Sequence, residues 1–283
     1  RGGLVNSFLR TFARNRGAVI GLCILAAVVA VAILAPLLYP GSPWRMVHRP
    51  FLAPFVLDRA PLGSDTVGRD ILAGLVHGSR VSLLIGLVST LVALLVGVPL
   101  GAISGYFGGW VDAALMRVTE FFQTIPSFAL AIVIVSILQP SVASIVLAIA
   151  IVSWPPVARL VRGEVLSIRT RDYVQAAVVT GLPVRKIILG EVLPNVISPV
   201  IVLASLMTAT AILLESSLSF LGLGDPNVMS WGYMVGSGRS RVLDQWWISF
   251  IPGSAIFVTV LALNLIGEGL NDAFNPTLRG RRT

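Results

Sequence analysis

Long uncharged apolar runs separated by short polar segments set the pattern of this chain. Residues 17–44 carry no formal charge and are mainly Ala, Val, Ile and Leu; further uncharged runs cover 81–111, 121–158, 192–214 and 245–267. A helix needs about 20 such residues to cross a bilayer. The run at 121–158 holds 38 positions, too many for one crossing. Gln139-Pro140-Ser141 divides it into a helical hairpin. The expected fold is therefore an all-α membrane protein with six transmembrane helices, the second over Leu83 to Gly105. Arg10, Arg14 and Arg16 precede the first run, as in a signal peptide. That run extends to Leu38, however, beyond the roughly 7–15 apolar residues of a cleavable signal. A retained first helix ending near Pro36 to Pro40 is expected. The chain starts at Arg1 and not at methionine, so native residues are expected before it.

Several positions inside the runs carry their own expectations. Gly97 and Gly101 form a small-xxx-small pair suited to close helix packing in lipid. Pro126 and Pro155-Pro156 are expected to kink their helices, which neighbouring helices tolerate. Gly105 to Asp112 (G-Y-F-G-G-W-V-D) reads as a turn with interfacial aromatic anchors.

Three polar segments stand out. Residues 40–80 hold five arginines and three aspartates; within them Pro61 to Asp70 has turn composition and a helix start at Ser64 or Asp65. Ser219 to Pro226 opens a second Gly- and Trp-rich loop that ends near Asp244. Between them lies Asp172 to Asn195. There Asp172 can cap a helix, with Gln175 three residues on as in a capping box. Tyr173, Ala176, Ala177 and Thr180 fall on one face. Gly181 supplies a left-handed terminus, and Pro183 starts a second helix running towards Leu193-Pro194. The two alanines would present a smooth face to another protein. An ordinary loop helix and a DNA-reading helix-turn-helix are the other ways to read this shape.

Composition narrows the choice. The chain is 55% hydrophobic and 12% charged, against about 25% charged in soluble domains. Net charge is +8, and of 21 basic residues only Lys186 is lysine. These residues flank apolar spans, which favours membrane topology over nucleic-acid binding. Cys23 is the single cysteine and, with only His48 and His77 beside it, disulfide and Cys/His metal chemistry are not expected. With the N-terminus inside, 14 of the 21 basic residues face the inner side, as the positive-inside rule prefers. Both ends and the Asp172–Asn195 island are then cytoplasmic.

No enzyme signature is found. G-x-S-x-G and H-E-x-x-H do not occur, and the single lysine follows Arg185 where a P-loop needs glycine. Any energy for work must come from another chain. Glu215 at the outer end of the fifth span is either interfacial and paired or hydrated or, with Ser216 and Ser219, faces a translocation pathway and meets a cationic group of a solute. Glu268 sits at the inner end of the sixth.

Gln175 to Gly181 (Q-A-A-V-V-T-G), followed by Leu193-Pro194, resembles the cytoplasmic EAA loop of permease subunits in binding-protein-dependent ABC importers. Pro61 to Asp70, Gly105 to Asp112, Ser153 to Arg162, Ser217 to Gly224 (S-L-S-F-L-G-L-G) and Asn264 to Pro276 resemble the C-type permease of dipeptide, oligopeptide and nickel importers. Gln175 stands where Glu is commonest, and Gly190-Glu191 where Arg-His or a similar pair is usual. The resemblance implies a type I importer permease fold in a bacterial inner membrane. It implies a peripheral first helix with a cytoplasmic N-terminus over 1–40, an external loop over 41–80, and a five-helix core over 81–283 with a coupling loop at 163–194. Asp172, Tyr173, Gln175, Ala176, Ala177, Gly181, Leu193 and Pro194 would meet an ATPase. Implied partners are a second homologous permease, two cytoplasmic ATPases holding ATP and Mg, and an external solute-binding protein. No cofactor is implied on this chain. Short peptides are the expected solute, with nickel or haem as the alternatives within the family. A stand-alone secondary transporter or a membrane anchor would need no ATPase.

Overall fold

The computed structural model describes residues 2–274, with side chains from Phe8 onward. The basic positions Arg1, Arg279, Arg281 and Arg282, and Asn275-Pro276 of the last motif, lie outside the described residues. The elements are helices: α1 (Gly2–Arg14), α2 (Arg16–Leu38), α3 (Ile71–Phe107), α4 (Gly109–Thr124), α5 (Ser127–Leu138), α6 (Val142–Ile168), α7 (Asp172–Val179), α8 (Val184–Lys186), α9 (Leu193–Leu218), α10 (Trp231–Ser237) and α11 (Trp247–Phe274). Five helical stretches are long and apolar enough to cross a membrane, and six if the bent pair α4–α5 counts as one crossing. The six-span reading holds in that form.

Helix α3 is the axis, packed along α6, α9 and α2. At 37 residues it is about 55 Å long at a rise of about 1.5 Å per residue, well beyond a single bilayer crossing. Its start differs from the expected Leu83, because Asp70 caps it by accepting the Leu72 N–H at 2.9 Å. The polar stretch around His77 and Arg80 simply continues the helix. The preceding loop thus closes at Asp70, and neither Ser64 nor Asp65 begins a helix. Asp65 instead accepts the Val67 and Arg69 N–H groups at 2.9 and 2.8 Å, closing a tight turn.

Close helix contact follows the glycines. Gly97 lies against Val157 and the Trp154 carbonyl, Gly101 against Val161 and the Ala158 carbonyl, and Gly105 against Val165 and the Arg162 carbonyl. The sequence pair is therefore a three-glycine stripe that lets α3 and α6 touch backbone to backbone. Gly86, on another face of α3, meets Ile212 and the Thr208 carbonyl of α9.

The prolines sit in two settings. Pro155-Pro156 lie within an uninterrupted α6. Pro126 does more than kink: α4 and α5 meet at 84°. The residue before a proline is driven out of the helical region, and Ile125 is extended (φ −88°, ψ 128°). The hairpin break at Gln139 is present, with φ at +67°.

Helix α2 is peripheral, burying only Ala18, Gly21, Ala32 and Ala35, and it packs chiefly on α11. Helix α1 is an element that the pattern of runs did not reveal. Phe8 lies 4.9 Å from the Phe274 ring, while Asn15 caps α2 and donates to Asp272 at 3.0 Å.

Candidate functional site

Two clusters of the predicted site residues lie at opposite ends of α9. From Leu193 to Glu215 is about 33 Å along the helix axis at about 1.5 Å per residue.

At one end, α7 is a short helix held by its own termini and by α6. Its N-cap is Arg171, and Asp172 is its first helical residue, so the expected Asp172 cap does not form. Gln175 does not complete a capping box either; its Nε2 donates to the Arg169 carbonyl at 2.8 Å. An ionised glutamate at this position could only accept, so this tie depends on the amide that departs from the family pattern. Arg169 in turn donates through Nη1 to the Gly105 and Tyr106 carbonyls at 3.1 Å each, closing the end of α3. Beside it Arg162 grips Asp112 bidentately at 2.5 and 2.6 Å, and Ser104 donates to the same carboxylate. The ends of α3, α4 and α6 are thus tied into one polar knot under α7.

Gly181 has φ +75°, as its expected left-handed role requires. The Leu182 N–H bonds the Ala177 carbonyl at 3.2 Å and the Gly181 N–H the Val178 carbonyl at 3.0 Å, the paired bonds of a Schellman terminus. The faces of α7 differ from the expected smooth alanine surface. Val174 and Ala177 are buried in a cluster with Val161, Val165, Ile168, Ile187 and Val192. Ala176 points outward with Tyr173, Val178 and Val179, the last 86% exposed. Leu182 and Val184 extend this exposed apolar surface past the turn. Val179 and Leu182 were missed; two aliphatics beside a capping glycine in a polar segment are the signal that could have found them.

The second helix of the island does not stop at Leu193-Pro194. A π-helical stretch, Ile187–Val192, joins α8 to α9, so 184–223 form one helical path of 40 residues. Leu193 packs against the buried cluster and Pro194 sits exposed at the start of α9. Leu193 therefore packs on the same cluster that seats Val174 and Ala177 of α7, whereas Pro194 remains on the surface.

At the other end, Glu215 is 1% exposed. In this structure it is enclosed by the chain, and its partners are hydroxyls. Its Oε1 accepts from Ser219 and Ser230, both at 2.8 Å, and Oε2 meets Ser216 at 3.4 Å. Ser230 is the N-cap of α10, accepting the Tyr233 N–H. Helix α10 lies among α3, α9 and α11: the Trp231 N–H bonds Ser82 at 3.1 Å, and the Trp231 indole N–H bonds the Leu75 carbonyl at 2.8 Å. The 41–70 loop is tied to it, with Trp44 edge-on to Tyr233 at 5.1 Å and Arg69 donating to the Tyr233 hydroxyl at 3.3 Å. A cleft of about 360 Å³ opens on the side of α10 lined by Ser219, Tyr233, Ser237 and Arg239. Sequence reading placed Glu215 and Ser219 here but missed Ser230, Tyr233 and Arg69, which a chain separation of up to 164 residues joins.

The fold and its two ends define a multi-pass helical membrane protein with a short exposed apolar helix at one end and a short helix packed across the other. Residues 97–280 match the family described as binding-protein-dependent transport system inner membrane component, and residues 4–58 match the N-terminal TM domain of oligopeptide transport permease C. The chain is 40% identical to the di/tripeptide transport system permease protein DppC of Pseudomonas aeruginosa, over 97% of this chain and 93% of that one. It is 38% identical to the dipeptide transport system permease protein DppC of Haemophilus influenzae (95% and 93% covered), and 37% identical to the oligopeptide transport system permease protein OppC of the same organism (94% and 86%). The chain belongs to the family of inner membrane components of binding-protein-dependent transport systems. It is a permease subunit and not itself catalytic; ATPase and solute-binding partners go with that family, and ATP hydrolysis falls to the separate ATPase subunits.

Proposed function

We propose that this chain forms one half of the path by which an ATP-driven importer carries short peptides across a bacterial cytoplasmic membrane. It pairs with a second homologous permease, two cytoplasmic ATPase subunits that bind ATP and Mg, and an extracytoplasmic solute-binding protein. The chain itself holds no cofactor. Both termini and α7 face the cytoplasm, and the 41–70 loop and α10 face outward. The arginine balance supports this orientation, and the peptide permeases reported above support the solute class.

The observation that carries the reading is α7. An apolar surface outside the bilayer and anchored at both termini marks a protein contact. Its ties through Arg169 to α3 and through the π-helical stretch to α9 provide the route by which a push on α7 reaches the spans. The residue roles follow: Tyr173, Ala176 and Val179 meet the ATPase, Gln175 and Gly181 fix the helix that presents them, and Ala177 seats it.

The assembled transporter, purified through this chain and placed in proteoliposomes, is expected to contain two ATPase chains and a homologous permease. It is expected to accumulate a radiolabelled dipeptide only with ATP and the binding protein. Uptake by this chain alone would sink the reading, whereas ATP-dependent uptake of nickel or haem but no peptide would overturn the solute class.

A further inference from the structure

We propose that Glu215 is the latch of the outer gate: its carboxylate holds α10 across the end of the bundle, and α10 lifts only when the Ser230–Glu215 hydrogen bond opens. Glu215 acts through α10 and is a positioning residue. The proposal rests on the permease reading but not on the identity of the solute.

Four observations converge. The two hydroxyls on Oε1 come from different elements, Ser219 just past α9 and Ser230 at the start of α10, so one oxygen bridges them. The Ser230 hydroxyl gives its only proton to Glu215 while accepting the Tyr233 N–H, so the cap and the bridge form together. A carboxylate is the acceptor able to take both hydroxyls strongly.

Next, α10 lies flat on this site because the face it turns to Glu215, Ser216 and Ser219 carries glycines. A Cβ on Gly232 would stand 2.7 Å from the Ser216 Cα and 2.8 Å from Glu215 Oε1, and one on Gly236 would stand 2.7 Å from the Ser219 carbonyl oxygen. The i, i+4 glycines thus match the terminal turn of α9.

Third, the carboxylate is buried without an opposite charge. Among the described residues no basic side chain forms an ion pair with Glu215. A buried carboxylate held only by hydroxyls is costly for stability alone, and Oε2 is poorly served. Such a group fits a contact that must break and re-form better than one that must last.

Finally, a hinge follows at once. Ser219–Leu223 is π-helical with Gly222 at φ +89°, and the cleft beside α10 gives the helix space on its open side. π-Helical turns within helices recur at functional sites.

The test uses the assembled transporter in right-side-out vesicles, with Cys23→Ser and with Met234→Cys as a reporter buried under α10. Without ATP or binding protein, Glu215→Leu is expected to raise labelling of position 234 by an impermeant thiol reagent about tenfold, the change for losing one charge-assisted hydrogen bond. ATPase activity should also escape its dependence on the binding protein. Glu215→Gln keeps an oxygen that accepts both hydroxyls but without charge assistance, and should give labelling between that of the wild type and Glu215→Leu. Unchanged labelling in an assembled Glu215→Leu transporter overturns the latch. So does Glu215→Gln behaving like Glu215→Leu, since the charge and not the bridge would then matter. If Glu215→Leu fails to co-purify with its partners, Ser230→Gly and Ser230→Thr decide. Glycine keeps most of the cap but removes the bridge and should open the gate, whereas threonine should not; equal labelling in the two overturns the proposal. Dipeptide uptake by the unaltered transporter reports separately on the solute reading.

Discussion

Gly181 shows how much one residue decides at α7. Nothing lies within 4 Å of a Cβ built there, so space does not demand glycine; the φ of +75° does. Gly181→Ala should weaken the α7 terminus by about 1 kcal/mol, so that the Leu182 amide exchanges about fivefold faster. Hydrogen exchange on the assembled transporter checks this, with Gly181→Asn expected to fall between, since Asn tolerates the left-handed region. Unchanged exchange in Gly181→Ala would mean the turn is held from outside. This position was legible from sequence because a Gly two residues before a Pro has a local cause. Gln175 and Ala177 were legible as members of α7 but not in their contacts. Gln175 bonds a carbonyl six residues back, and Ala177 faces inward while Tyr173 and Ala176 face outward; in a helix of two turns periodicity does not settle where the buried boundary falls.

Among the elements, the α3–α6 pair is where sequence foresaw most. Gly97 and Gly101 announced a close contact, and only the partner helix was missing. Gly101→Val would place its side chain into the Ala158 carbonyl and Val161, both unable to yield without moving α6. We expect a loss of about 1–3 kcal/mol from overpacking, read as a lower melting temperature of the purified complex. Gly163→Val, with nothing within 4 Å of its Cβ, serves as control and should stay near the helix-propensity difference, a few tenths of a kcal/mol. Equal effects at both sites would refute the packing argument. The α4–α5 bend and the extended α3 were not legible. Hydropathy marks where a chain is apolar, and helices run on through His77 and Arg80 when a cap and packing partners set their true ends.

For the whole molecule, α9 joins the two functional ends, with a π-helical stretch at each terminus and a polar lock beside each. The lock under α7 is testable as a unit. Asp112 and Arg162 are 50 residues apart, and their bidentate pair is only partly exposed. A double-mutant cycle with Asp112→Asn and Arg162→Gln should give a coupling energy of about 1 kcal/mol, more than exposed pairs usually show. Stability of the detergent-purified complex measures it, and additive effects would remove the knot from the account. By itself the sequence determined the membrane class, the number of crossings, the turn at Gly181 and the resemblance that set the family. These depend on local composition and on short motifs whose spacing is their meaning. Tertiary structure alone decided that Glu215 lies sealed beneath α10, that Val179 and not Ala177 faces outward, and that Arg69 meets Tyr233. Burial and pairing at those positions come from segments distant in the chain, and hydrogen bonds across such distances leave no periodic trace.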